Sequence, residues 1–194
     1  MTNEYELQNG RQNLCRAIKH IAWAYVLIYL DINLGTLNIL PNWLGFLLIL
    51  HALPALAEAV SSAALLRPFA TLLAVLDGIE WLIKLFGGTI STDFMMVSLI
   101  ATVITLYFHF QLLTDLATLS EQHCCPQTNK ILHLRTVNTF IATALALPLP
   151  WQKIEWFAFA ALLVYGAIVI WLCFVLFGLK RSLTEEEDES EFSE

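Results

Sequence analysis

The densest ionisable set in the chain is Asp77, Glu80 and Lys84, inside an apolar run that opens at Pro68. Spaced i, i+3 and i+7, the three fall on one helical stripe, and Glu80 precedes Lys84 in the i, i+4 order that favours pairing. Carboxylates placed this way in a membrane can hold a cationic solute, pass a proton or neutralise a neighbour. A charge at the bilayer centre costs about 2.5–3.5 kcal/mol on insertion scales, so each needs a partner. Counting ~1.5 Å per residue from Pro68 puts Asp77 roughly 14 Å deep, near the mid-bilayer. His51 lies at a comparable depth in the preceding apolar run. This predicts a buried His51–Asp77 pair, acting as a hydrogen-bonded structural contact or as a proton-coupled switch. His109, in Phe108-His109-Phe110, is read as a histidine satisfied by a neighbouring helix.

A second polar island is DINLGTLNILPNWLG, residues 31–45. Its start resembles a calcium loop, but Gly35, Thr36 and Asn42 stand where that loop needs an acid, a glycine and a glutamate. The segment reads instead as a turn between two membrane helices. Asp31 and Asn33 cap the outer end of the first, Gly35 ends it, and Pro41 starts the second just before Trp43. An acid near a helix C-terminus opposes the macrodipole, so Asp31 needs a partner, and Lys84 is the one at its level. Asp31, Asn33, Asn38, Trp43, Glu80, Trp81, Lys84, Asp93, Trp151, Glu155 and Trp156 then ring an outward-facing vestibule whose indoles offer stacking or cation-binding faces.

His123-Cys124-Cys125 with His133 contains metal-ligand types but lacks a CxxC pair or HxxxH spacing, so no metal is expected. The four cysteines have no spacing that implies a disulfide framework. HExxH, GxSxG and Walker-type motifs are absent, and no basic patch interleaved with aromatics occurs. The expectation is a protein that is not an enzyme, carries no cofactor and binds no nucleic acid.

The elements that must position these residues follow from composition. Hydrophobic residues make up 58% of the 194 and mean hydropathy is +0.66, beyond the about 45–50% of soluble domains. The bilayer is the expected solvent. The formal charge of -7 belongs to TEEEDESEFSE at the end of the chain; without its seven acids, ten acidic side chains face ten basic ones. Such a run repels itself and buries nothing, so residues 181–194 read as an acidic, disordered cytoplasmic tail. Six windows are long and apolar enough to cross: 15–35, 41–57, 68–88, 94–113, 132–147 and 151–179. The fifth is short, with His133 and Arg135 in its first turn. Residues 1–14 are a cytoplasmic segment, 15–180 the transmembrane domain, and no removed signal peptide is expected.

With the N-terminus inside, the inner flanks hold Arg11, Arg16, Lys19, Arg67, Lys130, Arg135, Lys180 and Arg181, and only Lys84 and Lys153 fall outside. The indoles of Trp43, Trp81, Trp151 and Trp156 then lie near the outer interface, where such rings prefer to sit. The fold class is therefore all-α: a six-span transmembrane bundle of the plasma membrane, with both termini cytoplasmic. Its connections are short except the fourth, at 115–130. A three-residue echo, Ile79-Glu80-Trp81 and Ile154-Glu155-Trp156, is too brief to establish a repeat.

The acid-x-Asn-Leu-Gly element followed by Leu-Pro-x-Trp-x-Gly, as it stands in residues 31–45, resembles a motif of small uncharacterised polytopic membrane proteins of Firmicutes, a group that lends no activity. Size and span number are similar to the substrate-binding components of energy-coupling-factor vitamin transporters. Their AxxxA docking motif occurs here as Ala70 to Ala74, in the third span and not the first. The function expected is binding, or helping to transport, a small solute through the outward-facing polar and aromatic site. The alternative is a structural or regulatory membrane protein acting through its cytoplasmic loop or tail.

Overall fold

The computed structural model describes residues 2–29, 33–34, 37–38, 41–88, 95–147 and 155–191. Among them are six α-helices: α1 Thr2–Tyr29, α2 Asn42–Ala59, α3 Leu66–Leu85, α4 Met95–Gln122, α5 Thr128–Ala146 and α6 Glu155–Glu191. The protein is all-α apart from one two-residue ladder, β1 Asn33–Leu34 with β2 Leu37–Asn38. The segments Asn42–Ala59, Ser61–Leu85, Leu99–Gln122 and Phe159–Glu185 are long and apolar enough to cross a membrane.

The exterior agrees with that solvent. Phe140, Phe174 and Ile100 are 74%, 72% and 60% exposed, while His109, Asp115, Ser120 and Asn138 are buried. Apolar side chains outside and polar ones inside are what a hydrocarbon surround requires.

Boundaries depart from the sequence expectation in three places. The first span was placed to residue 35, but α1 is described to Tyr29, and Asn33 pairs antiparallel with Asn38 and Leu34 with Leu37. An Asn-Leu pair followed two residues on by Leu-Asn suits a short antiparallel ladder better than a continued helix. The connection expected at 115–130 is mostly helix: α4 runs through Gln122, and the turn to α5 spans 123–127. The reason is that Asp115 is itself buried, and Leu116, Leu119 and Ser120 extend the packed face of α4 beyond it. The acidic segment expected to be disordered continues α6 as helix through Glu191. Arg181 meets Glu185 at 2.7 Å one turn on, and extending an existing helix is far cheaper than nucleating one.

Two helix ends show how the turns are built. After α3, the Gly87 and Gly88 N–H groups donate to Lys84 and Ile83 carbonyls, with Gly87 at φ 72, the left-handed glycine stop. After α4, Cys124 and Cys125 donate to Glu121 and Ser120 in the same pattern, but here Cys124 adopts φ 50. A side chain in that region costs about 1–2 kcal/mol.

Helices α1 and α2 approach closely at Gly45. A Cβ added at Gly45 would lie 2.5 Å from Ile28 Cγ1 and 2.9 Å from the Ala24 carbonyl oxygen, and Ala17, Ala24 and Ala52 are buried nearby in the same core. Small residues permit this contact where no hydrophobic force draws helices together. Three further contacts fix one end of the bundle. Ser62, in the 3-10 turn Ser61–Leu65, donates to Asp115 Oδ1 at 2.7 Å. Gln127 donates to Ser182 at 2.9 Å, and Cys15 lies 3.8 Å from the Thr184 hydroxyl. The middle of α1, the turn before α5, the α2–α3 turn and the later part of α6 are thereby drawn together.

Candidate functional site

The outer set separates into residues that satisfy one another and residues outside the description. Glu80 and Lys84 form the expected i, i+4 ion pair, at 2.7 Å and with each side chain about half exposed (46% and 51%). Trp43 and Trp81 meet edge to face, ring centroids 6.2 Å apart, so the two indoles share one end of the α2–α3 hairpin. Asn33 and Asn38 oppose each other in the ladder. Glu155 begins the described part of α6, and Trp156 is 71% exposed. Asp31, Asp93 and Trp151 lie outside the described residues, and with them the expected Asp31–Lys84 contact.

The interior pair is corrected. His51 stands on the exposed face of α2 with Leu44, Leu47, Pro54 and Glu58. Its ring meets His20 of α1, centroids 5.4 Å apart, and not Asp77. The cause is the tight α1–α2 seam: Gly45, Ile49, Ala52 and Leu56 occupy the buried stripe, which turns residue 51 away. The charged groups acting on Asp77 are Glu80 and Lys84 of its own helix.

A different polar cluster lies between α1, α4, α5 and α6. Tyr25 is fully buried and His109 is 4% exposed. The Tyr25 hydroxyl and His109 Nδ1 share a hydrogen bond of 3.3 Å whose direction depends on the imidazole tautomer. Tyr29 stacks on Tyr25, one turn earlier, with an interplanar angle of 11°, and meets Tyr165 edge-on at 5.2 Å. Its hydroxyl is hydrogen-bonded to Tyr165 and to Asn138. Phe46 and Phe108 cover the other side of the imidazole at 6.1 and 5.4 Å.

Tyr29, His109, Asn138 and Tyr165 border a cavity of about 120 Å³, to which Thr105 and Thr139 also contribute. Both threonine hydroxyls donate back to their own helices, to Ala101 and Arg135 carbonyls, leaving oxygen lone pairs. His109 Nε2 is buried and has no hydrogen-bond partner among the described residues. An unpaired buried polar atom costs roughly 1–3 kcal/mol. No Lys, Arg, Asp or Glu side chain lines the cavity. At ~1.5 Å per residue, His109 lies roughly 21 Å from the described start of α4 and Tyr165 roughly 15 Å from that of α6, deep within the bundle.

The sequence reading of His109 as satisfied by a neighbour is therefore half of what is observed: Tyr25 satisfies one nitrogen, and the other faces no partner. Tyr25, Tyr29, Asn138 and Tyr165 were missed because each is uncharged. A signal existed. Tyr25 and Tyr29 are spaced i, i+4 in an apolar run, and Asn138 sits mid-span.

No known protein family, curated protein or solved structure matches the chain.

Proposed function

We propose that this chain is a six-span plasma-membrane protein, both termini cytoplasmic, that binds a small solute in the cavity between α1, α4, α5 and α6 without transforming it. The observation that carries the reading is His109, whose Nε2 is buried without a partner among the described residues and whose side chain lines a cavity with Tyr29, Asn138 and Tyr165. Ligand sites in helical bundles are built this way, from a few polar groups converging in an apolar wall. Polar groups at depth in a membrane protein are functional candidates by default. The topology is supported by the end where Cys15, Ser62, Gln127 and Ser182 gather. The basic residues Arg11, Arg16, Lys19, Arg67, Lys130, Arg135, Lys180 and Arg181 belong to segments that meet there, as a cytoplasmic face requires.

The outer rim supports a second reading. Glu80 and Lys84 neutralise each other, so this pair needs no ligand, which fits a structural or regulatory protein acting through the cytoplasmic turn or acidic tail.

Thermal unfolding of the purified protein in nanodiscs, screened against small uncharged metabolites, separates the two. A ligand at ~100 times its Kd adds about 2.7 kcal/mol. The solute-binding reading expects such a stabilisation in the wild type, lost in His109→Leu and kept in part in His109→Gln. No stabilisation by any compound, together with a wild-type melting curve for His109→Leu, would transfer support to the second reading. For topology, a green fluorescent protein fused to the C-terminus should fluoresce and an alkaline phosphatase fusion should be inactive.

A further inference from the structure

We propose that the interior site takes an uncharged amphipathic molecule, with a hydroxyl or carbonyl head held by His109 Nε2 and an apolar tail laid in a groove between α1 and α6 that opens to the bilayer. The inference rests on reading the interior cavity as a binding site and names the class of its ligand.

Beside the polar cavity lies a larger apolar one of about 300 Å³, walled by Val26, Gly166, Ile170, Cys173, Phe174 and Phe177. Tyr29 belongs to the walls of both, so the two spaces meet at one ring whose hydroxyl serves the polar side. Gly166 keeps the groove open: a Cβ there would find no atom within 4 Å. Ile170 and Phe174 are 60% and 72% exposed, which places the mouth of the groove on the lipid-facing surface of α6. A molecule partitioned into the bilayer would enter sideways and keep its tail in an apolar surround throughout.

The head is constrained by what the polar cavity lacks. Its lining has no Lys, Arg, Asp or Glu, and an uncompensated charge at that depth is heavily penalised. A neutral hydrogen-bonding head is not. The Tyr25–His109 hydrogen bond can run either way, so Nε2 is an acceptor in one tautomer and a donor in the other. One site can thus serve a hydroxyl, which donates, or a carbonyl, which accepts.

The test uses the full chain in zwitterionic nanodiscs and three diazirine probes of equal chain length: hexadecanol, hexadecane and palmitate. After photolysis, labelled peptides are quantified by mass spectrometry, and melting curves confirm that each variant is folded. The hexadecanol probe should label the α6 peptide containing residues 166–177 saturably, and excess plain hexadecanol should compete. Labelling by the hexadecane and palmitate probes should not saturate. Gly166→Leu, which fills the groove, and His109→Leu, which removes the head contact, should each lower hexadecanol labelling about tenfold, with His109→Gln restoring part of it. Should His109→Leu fail to fold, Gly166→Leu and the wild-type competition decide alone. Equal, non-saturable labelling by all three probes, or labelling indifferent to Gly166→Leu, overturns the proposal, because the groove then holds only passing lipid. If water-soluble metabolites still stabilise the protein through His109 in that event, the cavity reading survives without this ligand class. If they do not, both fall.

Discussion

Glu80 and Lys84 at the end of α3 close a 2.7 Å ion pair while each stays about half exposed; His109 in the interior is 4% exposed and leaves one ring nitrogen unpaired. The charged pair is conspicuous in the sequence and self-sufficient in the structure, since an i, i+4 spacing supplies each partner from the same helix. The histidine is inconspicuous in the sequence, and the hydrogen-bond partner it has comes from another helix, α1. Charge marks where partners are needed, but in this chain the need is met locally. An open valence survives where the partner must come from a distant part of the chain, and there a ligand has something to add.

That contrast can be broken by stability measurements, with the interior expected to be costly and the rim cheap. The largest effect should come from Asp115→Ala. Asp115 is 1% exposed and accepts hydrogen bonds from Ser62 and Gln111 at 2.7 and 2.8 Å, so its loss strands two donors and detaches the α2–α3 turn from α4. A cost of about 3 kcal/mol is expected, read by unfolding in mixed micelles, with Asp115→Asn losing much less. Gly45→Ala comes next, at about 2 kcal/mol, because the Ala24 carbonyl 2.9 Å away is backbone and cannot swing aside. Shifting α1 also displaces Tyr25 and Tyr29, so ligand stabilisation should fall along with the melting temperature. Tyr25→Phe should cost about 1 kcal/mol by leaving both nitrogens of His109 unpaired. The rim should give the smallest value. A double-mutant cycle on Glu80→Gln and Lys84→Met is expected to yield a coupling of about 0.3–0.5 kcal/mol that shrinks with added salt. A coupling above that of the Tyr25–His109 pair would reverse the contrast.

Much of the architecture is legible in the sequence. Pro41 heads α2, the Gly87-Gly88 pair stops α3, and Glu80 pairs with Lys84, because proline, glycine and helical spacing act over a few residues. What is not legible depends on rotation of one helix against another. Hydropathy gives the depth of His51 and Asp77 but not the azimuth, and the Gly45 seam sets the azimuth of α2. The interior cluster was hidden for the same reason. Tyr25, His109, Asn138 and Tyr165 come from four separate helices, and nothing in the local sequence of any one announces the other three. The polar run after Asp115 misled in the opposite direction, since its alternation of Leu with Ser and Thr is the buried stripe of a helix and not a loop.

The turn at Cys124 has a practical consequence. By ending α4 in a left-handed residue, it turns one cysteine out and the next one in: Cys124 is exposed, whereas Cys125, Cys15 and Cys173 are buried. The natural chain therefore presents a single reactive thiol when folded and four when unfolded. Counting thiols against denaturant follows its unfolding with no engineered probe, and a label on Cys124 reports from the end of the bundle opposite the paired indoles.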